Sequence, residues 1–228
     1  VELPEDRNSE YPPAPSARDS VVAPQRRQMA RRDVNTPGDS SQAAPADTAS
    51  SAGKRVELDL DAIAASGLLV PSQTRTLLAS EFRVIKRPLI ANAMNKDTSP
   101  INNSGSLVMV TSALPGEGKT FTSINLAVSI AMEMDNTVML VDADVARPSV
   151  LNMLGLPPAE GLLDVVTANS LDISGVLLRT NIEKLSILPS GTPHARATEL
   201  LASDAMMRLL DDMAQRYPDR IIIFDSPP

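Results

Sequence analysis

Residues 107–120 read Leu107-Val108-Met109-Val110-Thr111-Ser112-Ala113-Leu114-Pro115-Gly116-Glu117-Gly118-Lys119-Thr120, and this stretch decides the fold. The opening apolar run has the length and composition of a short strand buried on both faces. Residues 113–120 match the phosphate-loop pattern G-x-x-x-x-G-K-[ST], with Ala113 in place of the first glycine. Small residues let successive backbone N–H groups wrap a phosphate, and the next helix directs its positive N-terminal end at the same anion. Lys119 is expected to reach the β- and γ-phosphates, and the Thr120 hydroxyl to ligate Mg²⁺. Ala113, Pro115, Gly116, Glu117, Gly118 and Phe121 complete the expected loop contacts, with ATP and Mg²⁺ as the implied cofactors.

Beyond the loop, Ile124, Ala127, Val128, Ala131 and Met134 recur at helical spacing, and residues 137–141 form a second apolar strand. Strand, loop, helix and strand make a βαβ unit. Farther on, the pattern predicts a short helix over 162–166, a strand over 185–188, an amphipathic helix over 204–217 and a strand over 221–224. The expected fold is α/β: a P-loop NTPase with a largely parallel sheet flanked by helices, joined by right-handed crossovers.

Two further motifs sit at predicted strand ends. Asp142, Asp144 and Arg147 follow the second strand, where ligands bind in a parallel sheet. Read as an extended i, i+2 pair, Asp142 and Asp144 share one side, one to serve the metal and one to position or deprotonate an acceptor. Arg147 is read as a further nucleotide contact. Asp225 ends the run Ile221-Ile222-Ile223-Phe224 and is expected to hold Mg²⁺ opposite Thr120, with Asp144 as the third metal-site residue. Lys119, Asp142 and Asp144 form the expected catalytic set.

The rest of the chain supplies bounds. A net charge of −7 gives no electrostatic reason to expect nucleic acid, and without cysteine there is neither a disulfide nor a thiolate metal site. The single histidine, His194, lies in a loop-like stretch and cannot build a zinc centre alone. No run approaches the roughly 18–20 apolar residues of a membrane span, so any membrane association must come through a partner. Residues 1–54, rich in Pro, Ser, Ala and charge, read as a disordered arm; Arg26, Arg27, Arg31 and Arg32 belong to its solvated face. Residues 55–106 read as a helical lead-in interrupted by Pro71 and Pro88 and closed by a turn-rich link, with the globular core over 107–228. The methionines from Met132 onward read as core or interface filler. An opening Val1 and an end at Pro228, just past a strand, give the expectation of a C-terminally incomplete piece.

Together, SALPGEGKT, VMLVDADVARP and IIIFDSPP resemble the Walker A, A′ and B motifs of bacterial tyrosine kinases, the autophosphorylating ATPases of capsule and exopolysaccharide export. The resemblance runs from about Ser80 and extends to the exosortase-associated branch through residues 82–89. It implies an ATP-dependent protein-tyrosine autokinase, cytoplasmic, held at the inner membrane by a polysaccharide co-polymerase or chain-length protein, and homo-oligomeric. The septum-site and partition ATPases, nucleotide switches of the same fold, carry an early signature lysine where this chain has Leu114; they are the alternative, with an ATP-binding scaffold without turnover as a third. Two departures stand out. The family's Glu-x-x-Arg-x-x-Arg ring-assembly segment aligns with Ser80, Arg83 and Lys86, and its C-terminal acceptor tyrosines have no counterpart beyond Tyr11 and Tyr217.

Overall fold

The computed structural model describes residues 53–94, 106–168 and 172–228. Residues 1–52 of the predicted arm, with its arginines and Tyr11, and nearly all of the predicted link lie outside them; Lys54, read as the end of the arm, instead begins a strand that pairs with Leu178. The elements are β1 (Lys54–Arg55), α1 (Leu60–Ala65), α2 (Leu77–Met94), β2 (Leu107–Val110), α3 (Lys119–Ala131), β3 (Thr137–Asp142) and α4 (Val150–Met153). They continue through α5 (Leu162–Thr167), α6 (Ile173–Val176), β4 (Leu178–Arg179), β5 (Leu185–Leu188), α7 (Ala197–Leu201), α8 (Asp204–Arg216) and β6 (Arg220–Asp225). The strands form one sheet in the order β1-β4-β5-β3-β6-β2. Every pairing is parallel except β4 on β5.

Strand alternation sorts the core onto the two faces of this sheet. Val138 and Leu140 of β3, with Ile221 and Ile223 of β6, pack with α3, α2 and α1. Met139 and Val141, with Ile222 and Phe224, pack on the other face with α5, α6 and α8. Because side chains of one strand alternate, Asp142 and Asp225 continue the series 138, 140 and 221, 223, and so emerge on the α3 side. The same arithmetic places both acids beside the phosphate loop rather than behind it.

β2 differs from its sequence reading. It is half-buried, not sandwiched, and Met109 is 67% exposed. The cause is its position: β2 is the last strand of the order and has a neighbour on one side only.

The segment read as a lead-in is built into the core. Leu58, Ile63, Leu68, Leu69, Val70 and Phe82 are buried in the same cluster as Ile124, Leu126 and Ile130 of α3. Polar side chains fasten it. Asn181 accepts from the Leu58 N–H at 2.9 Å and donates to the Leu58 carbonyl at 3.0 Å. Asn125 of α3, fully buried, accepts from the Leu69 N–H at 2.6 Å. Lys86, also buried, donates to the Ser129 carbonyl at 2.5 Å and pairs with Glu133 at 2.7 Å. The position aligned with a ring-assembly residue is thus occupied in docking α2 on α3.

Pro88, read as an interruption, lies inside α2. Its missing N–H strands the carbonyl of Val84, and Val84 is on the exposed face, where water can take that carbonyl. The methionine reading holds in part: Met139, Met206 and Met213 are buried, whereas Met134 is 85% exposed in the turn after α3 and Met207 faces outward from α8. Helical spacing alone does not distinguish the two sides at a helix end.

Candidate nucleotide site

Strand register gathers the site. Val110 of β2, Asp225 of β6 and Asp142 of β3 lie in one row across the sheet. The ladder runs one step farther, with the Ser226 N–H donating to the Val110 carbonyl at 3.0 Å and the Ala143 N–H to the Asp225 carbonyl at 2.9 Å. The loop springs from this row. Gly116 and Gly118 have φ of 83° and 85°, a left-handed backbone that disfavours any Cβ, although nothing within 4 Å would clash with one. Conformation rather than crowding therefore calls for glycine at both. Glu117 turns its carboxylate back onto the Leu114 N–H at 3.0 Å, and the Ser112 hydroxyl donates to the Leu114 carbonyl at 2.8 Å.

Thr120, in the first turn of α3, donates its hydroxyl proton to Asp225 Oδ2 at 2.6 Å. That proton being committed, the Ser149 hydroxyl, 2.8 Å away, is the donor in its contact with Thr120. Ser123 donates to the other oxygen of Asp225 at 3.1 Å. Burial pushes the Asp225 carboxyl up from its ordinary range, against these two hydroxyls, which pull it down. Asp142 is 1% exposed and accepts the Val150 N–H at 3.1 Å through Oδ2, while its Oδ1 has no partner. Burial, reinforced by the charges of Asp225 and Asp144, raises its pKa to about 7.

A cavity of about 590 Å³ opens over the loop. Of the residues singled out from sequence, Pro115, Gly116, Gly118, Lys119, Thr120, Phe121, Asp144 and Arg147 line it. Ala113 and Glu117 do not, and Asp225 sits behind Thr120. Asp142 borders a separate cavity of about 270 Å³, walled by Pro148, Asn152, Gly191 and Pro193. The two acids do not sit on one extended strand: β3 ends at Asp142, and the chain turns at Asp144, whose carboxylate and carbonyl both accept the Arg147 N–H. Sequence reasoning missed Ser149 and Ser123. A hydroxyl directly after Arg147-Pro148, at the start of α4, was the available signal for the first; Ser123, three residues after Thr120 on α3, shares its face.

The residues fit a magnesium nucleotide. Hydroxyl and carboxylate oxygens are the ligands Mg²⁺ prefers, and three mutually repelling acids with one unpartnered oxygen are what a divalent cation relieves. Among the described residues no three acids converge closely enough to hold an ion alone. That agrees with Mg²⁺, which keeps waters and substrate phosphates among its ligands.

The family model described as "AAA domain" matches residues 106–228. The tyrosine-protein kinase YwqD of Bacillus subtilis is 30% identical over 71% of this chain and 63% of its own length. The tyrosine-protein kinase CpsD of Streptococcus pneumoniae is 40% identical over 54% of this chain and 52% of its own. The chain therefore spans about half to two thirds of these relatives. Among solved structures, the chimerical protein CapA2B2 superposes with a TM-score of 0.55 at 27% identity, covering 74% of this chain and 75% of that one. The kinase domain of Escherichia coli tyrosine kinase ETK, at 24% identity and a TM-score of 0.55, shares the fold. On the family match and these relatives together, the chain belongs to the AAA domain family, alongside the bacterial tyrosine kinases.

Proposed function

We propose that this chain is the ATP-dependent core of a protein-tyrosine autokinase acting in exopolysaccharide or capsule polymerisation and export. The observation that carries the reading is the bond of the Thr120 hydroxyl to Asp225, with Asp142 paired to Asp225 across the sheet and Asp144 lining the cavity beside Lys119. Lys119 and the loop N–H groups hold the phosphoryl oxygens and offset charge as it develops. Thr120, Asp225 and Asp144 would hold Mg²⁺, which would supply charge neutralisation for the phosphoryl oxygens. Arg147 and Phe121 flank the nucleotide.

Asp142 is the base. With its Oδ1 free and its pKa near neutrality, it accepts the proton of the tyrosine hydroxyl as the phenolic oxygen bonds to the γ-phosphorus and the bond to ADP breaks. The acceptor ring approaches through the cavity that Asp142 borders. Among the described residues no helix is long and apolar enough to cross a membrane. The same reading assigns placement at the inner membrane to a co-polymerase or chain-length partner and includes homo-oligomerisation.

Leu114 is 62% exposed at the loop position where a switch ATPase places its signature lysine. Incubation of the full-length protein with γ-labelled ATP tests the proposal. Label on tyrosine is the expected result; free phosphate alone, with no labelled protein, overturns it in favour of a nucleotide switch.

A further inference from the structure

At the opposite end of the sheet from the nucleotide loop, where β3, β5 and β6 begin, lies a second large cavity of about 570 Å³. Arg55, Arg179, Lys184 and Arg220 line it, against one acid, Glu183, in a chain whose net charge is −7. Asp219 adjoins Arg220 from the turn before β6.

Helix C-termini meet this end of the sheet, and basic residues there commonly serve the terminal carbonyls. Lys184 does so, donating to the carbonyls of Glu133 and Met134 at 3.0 and 2.6 Å. The arginines do not. Among the described residues neither Arg55 nor Arg179 has a side-chain hydrogen bond or ion pair. Arg220 stacks its guanidinium 4.7 Å over the Tyr217 ring and donates to the Ser186 hydroxyl at 3.3 Å, yet its Nε is buried with no acceptor. Arg179 repels it from the same cavity, and no carboxylate bridges the two.

The hydroxyls around the cavity point their protons elsewhere. Thr137 donates to the Asp219 carbonyl, Ser174 to Asp172, Thr180 to the carbonyls of Ile182 and Leu185, and Ser186 to the Val138 carbonyl. What the cavity presents is therefore the buried Arg220 Nε without an acceptor, beside the exposed Arg55 and Arg179 and the single carboxylate of Glu183. The excess of guanidinium groups over carboxylates favours an anionic ligand rich in acceptor oxygens, which is the chemistry of phosphate bound by arginine forks. A volume of this size also leaves room for the group that the phosphate is attached to.

We infer that this cavity is a second phosphate-binding site, in which Arg220, Arg179 and Arg55 take the phosphate of a small soluble phosphate ester. It is independent of the nucleotide site and lies at the opposite strand ends.

The test is a titration of the full chain, saturated with ADP and Mg²⁺, with inorganic phosphate, following arginine Nε–H resonances by NMR. Arg220 Nε–H should shift saturably, and Arg179→Ala should weaken the binding roughly tenfold, the loss of one charge-assisted contact. Arg208→Ala, on α8 outside the cavity, is the control and should leave binding unchanged. No saturable shift at Arg220, or equal weakening by both variants, overturns the site as built. Phosphate entering the nucleotide loop does not register at Arg220, so failure of the kinase reading stays distinguishable. In a parallel sedimentation with phosphatidic acid vesicles the protein should stay in the supernatant; pelleting that Arg179→Ala abolishes would overturn the assignment to a soluble ester.

Discussion

Thr120 Oγ1 stands 2.6 Å from Asp225 Oδ2, so the end of β6 is tied to the first turn of α3 before any nucleotide arrives. The two motifs are 105 positions apart in sequence. Replacing Asp225 with Asn keeps the shape but removes the charge that a metal requires. Magnesium-dependent tightening of ADP binding should fall roughly 10- to 100-fold, the range seen when groups that tune a metal site are altered. Calorimetry with and without Mg²⁺ measures it, and an unchanged magnesium dependence would remove Asp225 from the site.

Lys119 lines the nucleotide cavity at the start of α3. Lys119→Met should slow ATP turnover roughly 10²- to 10³-fold, about 3 kcal/mol, the cost of losing one preorganised charge-stabilising donor. Turnover within twofold of wild type would refute the assignment.

Asp142 imposes a pH dependence on stability. Its carboxyl titrates at 3.8 in the unfolded chain and at about 7 when folded, so the native state holds the proton more tightly. The contribution to stability is complete below 3.8 and is lost as pH rises to about 7. Asp225, raised by burial, acts with the same sign, whereas Asp164 and Asp172 are lowered and act with the opposite one. Comparison with Asp142→Asn isolates the first effect: denaturation midpoints of the nucleotide-free wild type should decline across that window relative to the variant. Parallel curves would show that Asp142 is ionised in the native state throughout.

Lys86 fixes α2 to α3 through the Ser129 carbonyl and Glu133. Glu133 is half-exposed, so solvent weakens its share. Lys86→Met keeps the aliphatic stem and should cost about 1–2 kcal/mol, the scale of a charged hydrogen bond discounted for that exposure. Urea denaturation monitors the change, and a loss below about 0.5 kcal/mol, the usual surface value, would mean that the apolar contacts of Phe82 and its neighbours hold α2 unaided.

What the sequence made legible was local. The loop, α3, β3 and β6 each carry a periodic apolar pattern next to a polar motif, and strand alternation fixes which way Asp142 and Asp225 point. Long-range pairing escaped it. β1 and β4 are two residues each, too short for any period, and become strands because β1 pairs with β4 and β4 with β5. The place of β2 at the sheet edge depends on strand order, which its own residues do not encode. Ser149 joined the site because the Asp142 carboxylate anchors the Val150 N–H beside it, a contact across a turn with no sequence signature.

The Asn125 bond to the Leu69 N–H bears on where this protein can be cut. The family model begins at residue 106, and a fragment trimmed to that boundary would keep every phosphate-loop residue. It would also uncover Leu126 and Ile130 of α3 and leave the side-chain carbonyl of Asn125 without its donor. The nucleotide contacts are a property of the later residues, but the thermodynamic unit that holds them in place extends back at least to Leu58.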